Sequence, residues 1–409
     1  MSVEIERAQL LLNQSRYDLA ESELRKVLAE DPEDYRAHAL LGYCLLRLER
    51  KQDALSEADL AVAKEPGAPY AHYIRALILL ETGRHAEARA AAREAIQLNP
   101  SDADYFALLG GIHLEEKNWK DALRSAESAL VLDAEHVQGA NVRAVALVKL
   151  GRGKEAGRTL DSALAREPES AVTHANMGWT LLESGDHKKA LGHFREALRL
   201  DADHEWAREG IVEAMKARNP IYRIMLQYFF FMSKLPKKGQ WAVIIIALVG
   251  TRILRATANA YPAFQPVALI LGGLYVVFML ATWLARPLFD LVLRLDPFGR
   301  LCLSSDQTKG SNLLGLSLLA SLAFLILDLS GVGKGELLLA SLGSLALCLP
   351  ISGIYQARPG KRRHFRAGYS IVLILIGICA LTLPEGRHAS LAGSLFVFGM
   401  IIYTWVANL

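Results

Sequence analysis

Cysteine is scarce: the 409 residues hold four, Cys44, Cys302, Cys348 and Cys379. No two stand as CxxC, and no Cys/His spacing fits a zinc site. That argues against a disulfide framework and against a metal site. Catalytic signatures are missing too. There is no HExxH, no GxSxG and no paired-carboxylate cluster. The GVGKG stretch at 331–335 has Gly335 where a phosphate loop needs serine or threonine, and Asp328 fills the first glycine slot. No catalytic residue, cofactor or metal is therefore expected, and the chain is not expected to be an enzyme. The opening MSVEIERAQLLLNQS has no basic stretch leading into an apolar core, so no leader peptide is expected. Acid runs out half-way along. Residues 1–218 carry 29 basic and 37 acidic side chains, and residues 219–409 carry 17 and 6. An acidic, charge-rich half precedes an apolar, basic one, which points to a soluble domain joined to a membrane domain and away from a nucleic-acid binder.

The first half repeats itself with a period of 34 residues. Pro32, Pro66, Pro100 and Pro168 fall on the period, with Ala134 and Ala202 in the two remaining slots. Twelve residues before each slot stands an alanine: Ala20, Ala54, Ala88, Ala122, Ala156 and Ala190. Five residues before it the set is Val27, Ala61, Ala95, Ala129, Ala163 and Ala197. The eighth residue of each unit is small as well: Ala8, Gly42, Ala76, Gly110, Ala144 and Gly178. Small side chains at fixed spacing mark close crossings of helix backbones. A proline after a helix ends it, having no N–H for the next turn. Gly83, Gly151 and Gly185 suit turns between the two helices of a unit. Asp31-Pro32 and Asn99-Pro100 are turn pairs. Six paired-helix units over 1–204 follow, with residues 205–218 as a capping helix for the last.

This pattern resembles the tetratricopeptide repeat. The usual tryptophan at the fourth position is absent; His38, His72 and His174 stand there in three units and Phe106 in a fourth. These histidines are expected to pack between helices rather than to bind metal. The resemblance implies an all-α superhelical solenoid that binds a partner peptide or helix in a concave groove lined by first helices. The matching positions include Tyr43, Arg47, Tyr70, Tyr73, Leu77, Asn141 and Trp179. The tyrosines suit either anchoring of a partner or plain half-buried packing. Ile5 and Gln9 occupy positions where repeats that clamp a carboxylate tail carry a base and an asparagine, so that mode is not expected.

The second half reads differently. Residues 219–239 are aromatic, then basic, then broken by Pro236, as expected of an interfacial linker. Over 240–409 six apolar segments follow, near 240–259, 266–285, 311–330, 336–355, 369–384 and 389–407, and imply a six-helix transmembrane bundle. The third, fourth and sixth are uninterrupted, the fifth is short, and the first is broken by Arg252 and Arg255. Basic residues fall on one side. They include Arg223, Lys234, Lys237 and Lys238 before the first segment and Arg286, Arg294, Arg300 and Lys309 after the second. Arg358, Lys361, Arg362, Arg363 and Arg366 follow the fourth. Lys334 and Arg387 fall on the other. Both termini are then expected in the cytoplasm. The outer loops NAYPAFQ and PEGRHAS are short and nearly uncharged. Arg252, Arg255 and Asp328 are intramembrane charges, expected to pair as a structural lock or to snorkel, with an ion path as the alternative. Ser317 with Ser321 and Ala340 with Ser344 are spaced for close helix packing. The stretch from Arg294 to Leu303 resembles a segment of bacterial membrane proteins with N-terminal tetratricopeptide repeats, which implies the bacterial inner membrane.

The function expected is that of a membrane-anchored scaffold or adaptor. Its solenoid binds a protein partner. Its membrane domain contacts lipid and assembles with a membrane protein or with further copies of itself. The alternative is a transporter or channel subunit with a regulatory solenoid, against which the spans are poor in charge and show no pair of broken helices.

Overall fold

The structure, a computed structural model, describes residues 3–235, 237–331, 336–357, 360–383 and 387–406. Pro236, Lys334, Arg358 and most of the GVGKG stretch lie outside these, as do the side chains of Lys237, Lys361 and Arg387. Among the described residues the fold is all-helical, without strands. Contacts divide it into two units, residues 1–207 and 208–409.

The first unit is six helical hairpins: α1 (Val3–Asn13) with α2 (Tyr17–Glu30), α3 (Tyr35–Arg47) with α4 (Lys51–Lys64), α5 (Pro69–Glu81) with α6 (His85–Leu98), α7 (Ala103–Glu115) with α8 (Trp119–Leu132), α9 (Val137–Lys149) with α10 (Gly153–Arg166), and α11 (Ala171–Glu183) with α12 (His187–Leu200). One backbone device makes every hairpin. Ser15, Glu49, Gly83, Lys117, Gly151 and Gly185 all have positive φ, between 57° and 92°. Each follows the first helix of its unit and donates its N–H three residues back, while the next N–H reaches five residues back, as in Glu49 to Leu46 and Arg50 to Leu45. This capping motif satisfies carbonyls that the helix end leaves open. The turn between units is closed from the side chain. Asp31, Asn99, Asp133 and Asp201 each accept the backbone N–H two residues on.

The small residues lie where the period places them. Ala20, Ala54, Ala88, Ala122, Ala156 and Ala190 are fully buried. A Cβ on Gly42 would stand 3.1 Å from the Ala54 carbonyl, so the two backbones cross there almost in contact. The histidines at the fourth position carry the inter-unit turn. Nε2 of His38, His72 and His174 bonds the carbonyl of Pro32, Pro66 and Pro168 at 3.1, 2.9 and 3.0 Å. Each proline ends a helix, and the histidine six residues later ties down the carbonyl it leaves exposed. No metal-holding cluster of His, Cys, Asp and Glu occurs among the described residues.

Helix α13 (Glu205–Lys216) follows, and the second unit continues with α14 (Pro220–Lys234), α15 (Lys237–Ala260), a short turn of 3-10 helix, α16 (Gln265–Leu293), α17 (Gly299–Cys302), α18 (Ser305–Leu329), α19 (Glu336–Gln356), α20 (Lys361–Thr382) and α21 (Arg387–Val406). Among the described residues five helices are long and apolar enough to cross a membrane: α15, α16, α18, α19 and α20. In α21 the described apolar stretch is shorter, 390–403. The fifth expected segment, 369–384, is longer than its apolar core because the helix starts at Lys361. Its basic first turns are held by neighbours: Arg363 grips both Asp306 oxygens at 3.1 and 2.5 Å, and Arg366 donates to the Gly353 carbonyl. Leu269, Leu316, Leu319, Leu375 and Phe398 on these helices are all exposed, a large apolar surface.

Polar side chains fasten this unit from within. Ser317 donates to the Ser344 carbonyl at 2.6 Å, and Ser321 and Ser341 donate to each other's carbonyl at 2.9 Å. The small-residue spacing read from sequence thus also supplies hydrogen bonds between α18 and α19. The turn after α16 is set by Asp296, whose carboxylate accepts the Phe298 and Gly299 N–H groups. A Cβ on Gly299 would come 2.6 Å from the Leu293 carbonyl. Near it lies a buried charge cluster. Lys216, 1% exposed, meets Asp290 at 2.6 Å and Glu213 at 3.3 Å, and the Tyr222 hydroxyl donates to Glu213 at 2.5 Å. Burial raises the Glu213 carboxyl, but Lys216 and Arg286 outweigh it and hold the group below its usual range.

Candidate partner-binding groove

Three first helices, α3, α5 and α7, bring tyrosines together. Tyr70 and Tyr73, one turn apart on α5, have ring centroids 6.1 Å apart, and Tyr73 lies 5.2 Å from Tyr105 on α7. Tyr43 belongs to the same group, since Tyr43, Tyr70, Tyr73 and Leu77 rest half-buried on one core. Burial pushes the Tyr70 hydroxyl up to about 12 and that of Tyr73 higher still, with Asp104 adding to both. These phenols stay neutral donors at any physiological pH. Tyr105, which sequence reading missed, is 5% exposed and backs the row. The period gave no hint of it, since the equivalent residue one unit earlier is Ala71.

The other residues of the expected groove are engaged in side-chain contacts of their own. Arg47 is exposed; its Nε donates to the Tyr17 hydroxyl at 3.2 Å and its guanidinium lies 5.5 Å over that ring. Asn141 is buried inside a ladder. It donates to Thr173 at 2.9 Å and accepts from Asn176 at 3.0 Å, so its amide knits α9 to α11. Trp179 packs at the end of the array, stacked on Trp206 at 4.6 Å, with its indole N–H donating to the Trp206 carbonyl. Beside the tyrosines, Asp104 bonds His136 at 3.0 Å. That bond raises the His136 pKa above 6.5 and lowers that of Asp104 below 3.8, in both cases against the opposing effect of burial. In the second unit, Arg252 and Arg255 are exposed on α15, and Asp328 is the penultimate residue of α18.

A tetratricopeptide-repeat profile matches residues 5–69, 61–103, 73–138 and 108–171, and a second matches 171–204. Residues 5–204 are tetratricopeptide repeats. Solved structures similar to the array include YrrB, described as a TPR protein with an unusual peptide-binding site. It is 22% identical over 45% of this chain and 95% of its own, with a TM-score of 0.34. TTC0263, a TPR protein of Thermus thermophilus, is 20% identical over 44% and 98%, with a TM-score of 0.42. The pilF protein of Pseudomonas aeruginosa is 23% identical over 50% and 94%, also at 0.42. No curated protein matches the chain. A tetratricopeptide array is an interaction scaffold.

Proposed function

We propose that the chain is a membrane-anchored adaptor whose tetratricopeptide array holds a peptide or helix of a cytoplasmic partner against Tyr43, Tyr70, Tyr73 and Leu77. The observation that carries this reading is the half-buried row of rings on the first helices. Tyrosine combines large contact area with little side-chain entropy and a hydroxyl that hydrogen-bonds, which is why it recurs in interface anchors. Arg47 flanks the row, while Asn141 and Trp179 fix the helices that follow. The apolar outer faces of the second unit favour anchoring in a bilayer. The bias of basic residues favours cytoplasmic termini in a bacterial inner membrane. A single helix would anchor the protein, so the remaining spans favour assembly with a membrane protein or a second copy.

Photo-crosslinking tests the groove in native membranes. A benzoyl-phenylalanine at Leu77 should give a discrete adduct with a partner protein. The same group at Val131, on α8 and 85% exposed, should not. Adducts from Val131 alone would move the working surface elsewhere.

A further inference from the structure

In the fifth unit the repeat departs from its pattern where first and second helix meet. In two units the ring at the fourth position is enclosed by the same two neighbours. His38 meets Glu57 at 2.6 Å and the Pro32 carbonyl at 3.1 Å. His174 meets His193 at 3.1 Å and the Pro168 carbonyl at 3.0 Å. The period puts Ala140, Thr159 and Ala134 at these positions in the fifth unit. There the ring is missing. A cavity of about 430 Å³ opens instead, lined by all three together with Leu130 and Ala163.

Arginines edge this space. Arg143, Arg158 and Arg166 all line it. Arg166 donates to the Ala134 carbonyl, the equivalent of the carbonyls that histidines bind elsewhere. Arg143 donates to the Thr159 hydroxyl, the equivalent of Glu57. One carboxylate, Glu155, shares the lining, but Arg152 engages both its oxygens at 2.7 Å. Glu127 and Glu135 stand 3.9 and 3.8 Å from Arg143 and Arg166, beyond good hydrogen-bond distance. Much of the donor capacity of three guanidiniums is therefore left for something else.

We infer that the fifth unit binds a small molecule bearing a planar ring and a phosphate group. The ring takes the slot that histidine fills in three other units, floored by Leu130, Ala134, Ala140 and Ala163. The phosphate takes the arginine edge. A guanidinium matches phosphate oxygens in a two-pronged fashion, and a group carrying close to two negative charges suits three of them better than a single carboxylate does. The cavity falls within the size range of small-ligand sites. The inference is independent of the groove, which lies on the first helices.

The test is equilibrium binding to the full-length protein in detergent micelles, with phenyl phosphate, adenosine monophosphate and inorganic phosphate as probes. Ring-bearing phosphates should bind saturably, one per chain, and at least about tenfold tighter than inorganic phosphate. Ala140→His restores the ring found in three other units and should abolish binding while the thermal transition holds or rises. Arg158→Ala, at an exposed position, should weaken binding by about fivefold or more without affecting folding. No binding at millimolar probe, equal affinity for inorganic phosphate, or wild-type affinity in either variant would overturn the inference.

Discussion

Glu49 and Lys117 hold a backbone conformation that their side chains disfavour, at φ of 60° each. Three sister positions carry glycine. An L-residue in the left-handed region costs roughly 1–2 kcal/mol, which glycine's extra freedom in the unfolded chain partly offsets. Glu49→Gly and Lys117→Gly should therefore each stabilise the array by about 0.5–1 kcal/mol, read as a rise in its thermal or denaturant midpoint. The glycine half of this pattern was legible in the sequence. The Ser15, Glu49 and Lys117 half was not, because nothing in those residue types signals positive φ and only the period connects them. The Asp104–His136 bond makes a second prediction at this scale. His136 is raised, so its contribution is complete below pH 6.5 and fades as pH climbs through the higher folded value. Asp104 is lowered, so its contribution is complete above 3.8 and fades as pH falls through the lower folded value. The pair thus supports the fold fully between about 3.8 and 6.5. Asp104→Asn should lower the His136 pKa in an NMR titration; an unmoved value would show that another group raises it.

Among elements, close backbone crossings decide how the helices sit. A Cβ on Gly178 would reach 2.6 Å from the Phe194 ring, so Gly178→Ala should destabilise the last hairpin by about 1–3 kcal/mol. Crossings of this kind were visible in the sequence because they demand small residues at a fixed spacing. The pairing of Trp179 with Trp206 was not, since Trp206 lies beyond the last repeat, where the period predicts nothing. The start of α20 was hidden for a related reason. Hydropathy drops at its basic first turns, and the Asp306 carboxylate that Arg363 meets there is 57 residues away in sequence. The buried cluster around Lys216 belongs to this scale as well. Lys216→Met leaves Asp290 and Glu213 buried without their cation and should cost about 3–5 kcal/mol. Asp290→Leu added to it should recover much of the loss in the same unfolding assay. A double variant as weak as the single one would show that the lysine acts through packing alone.

For the whole molecule, the proposed topology and the proposed partner site make separate claims. Cys302, the last residue of α17 between α16 and α18, is partly accessible. In a background where it is the sole cysteine, a membrane-impermeant maleimide should label it only after the bilayer is opened. Ala263→Cys in the Cys302-free chain should label in intact cells. The reverse pattern would invert the bundle. Net charge and apolar run length made this half legible as a class of structure, whereas the serine contacts between α18 and α19 needed coordinates. The scaffold reading rests on the groove. Its most direct test is affinity capture of the full-length protein from solubilised native membranes, beside the Tyr70→Ala/Tyr73→Ala variant. The groove proposal predicts that at least one partner recovered with the wild type is lost from the variant while the array keeps its helicity. Identical partners in both captures would contradict it and leave the second unit as the surface that makes the essential contacts.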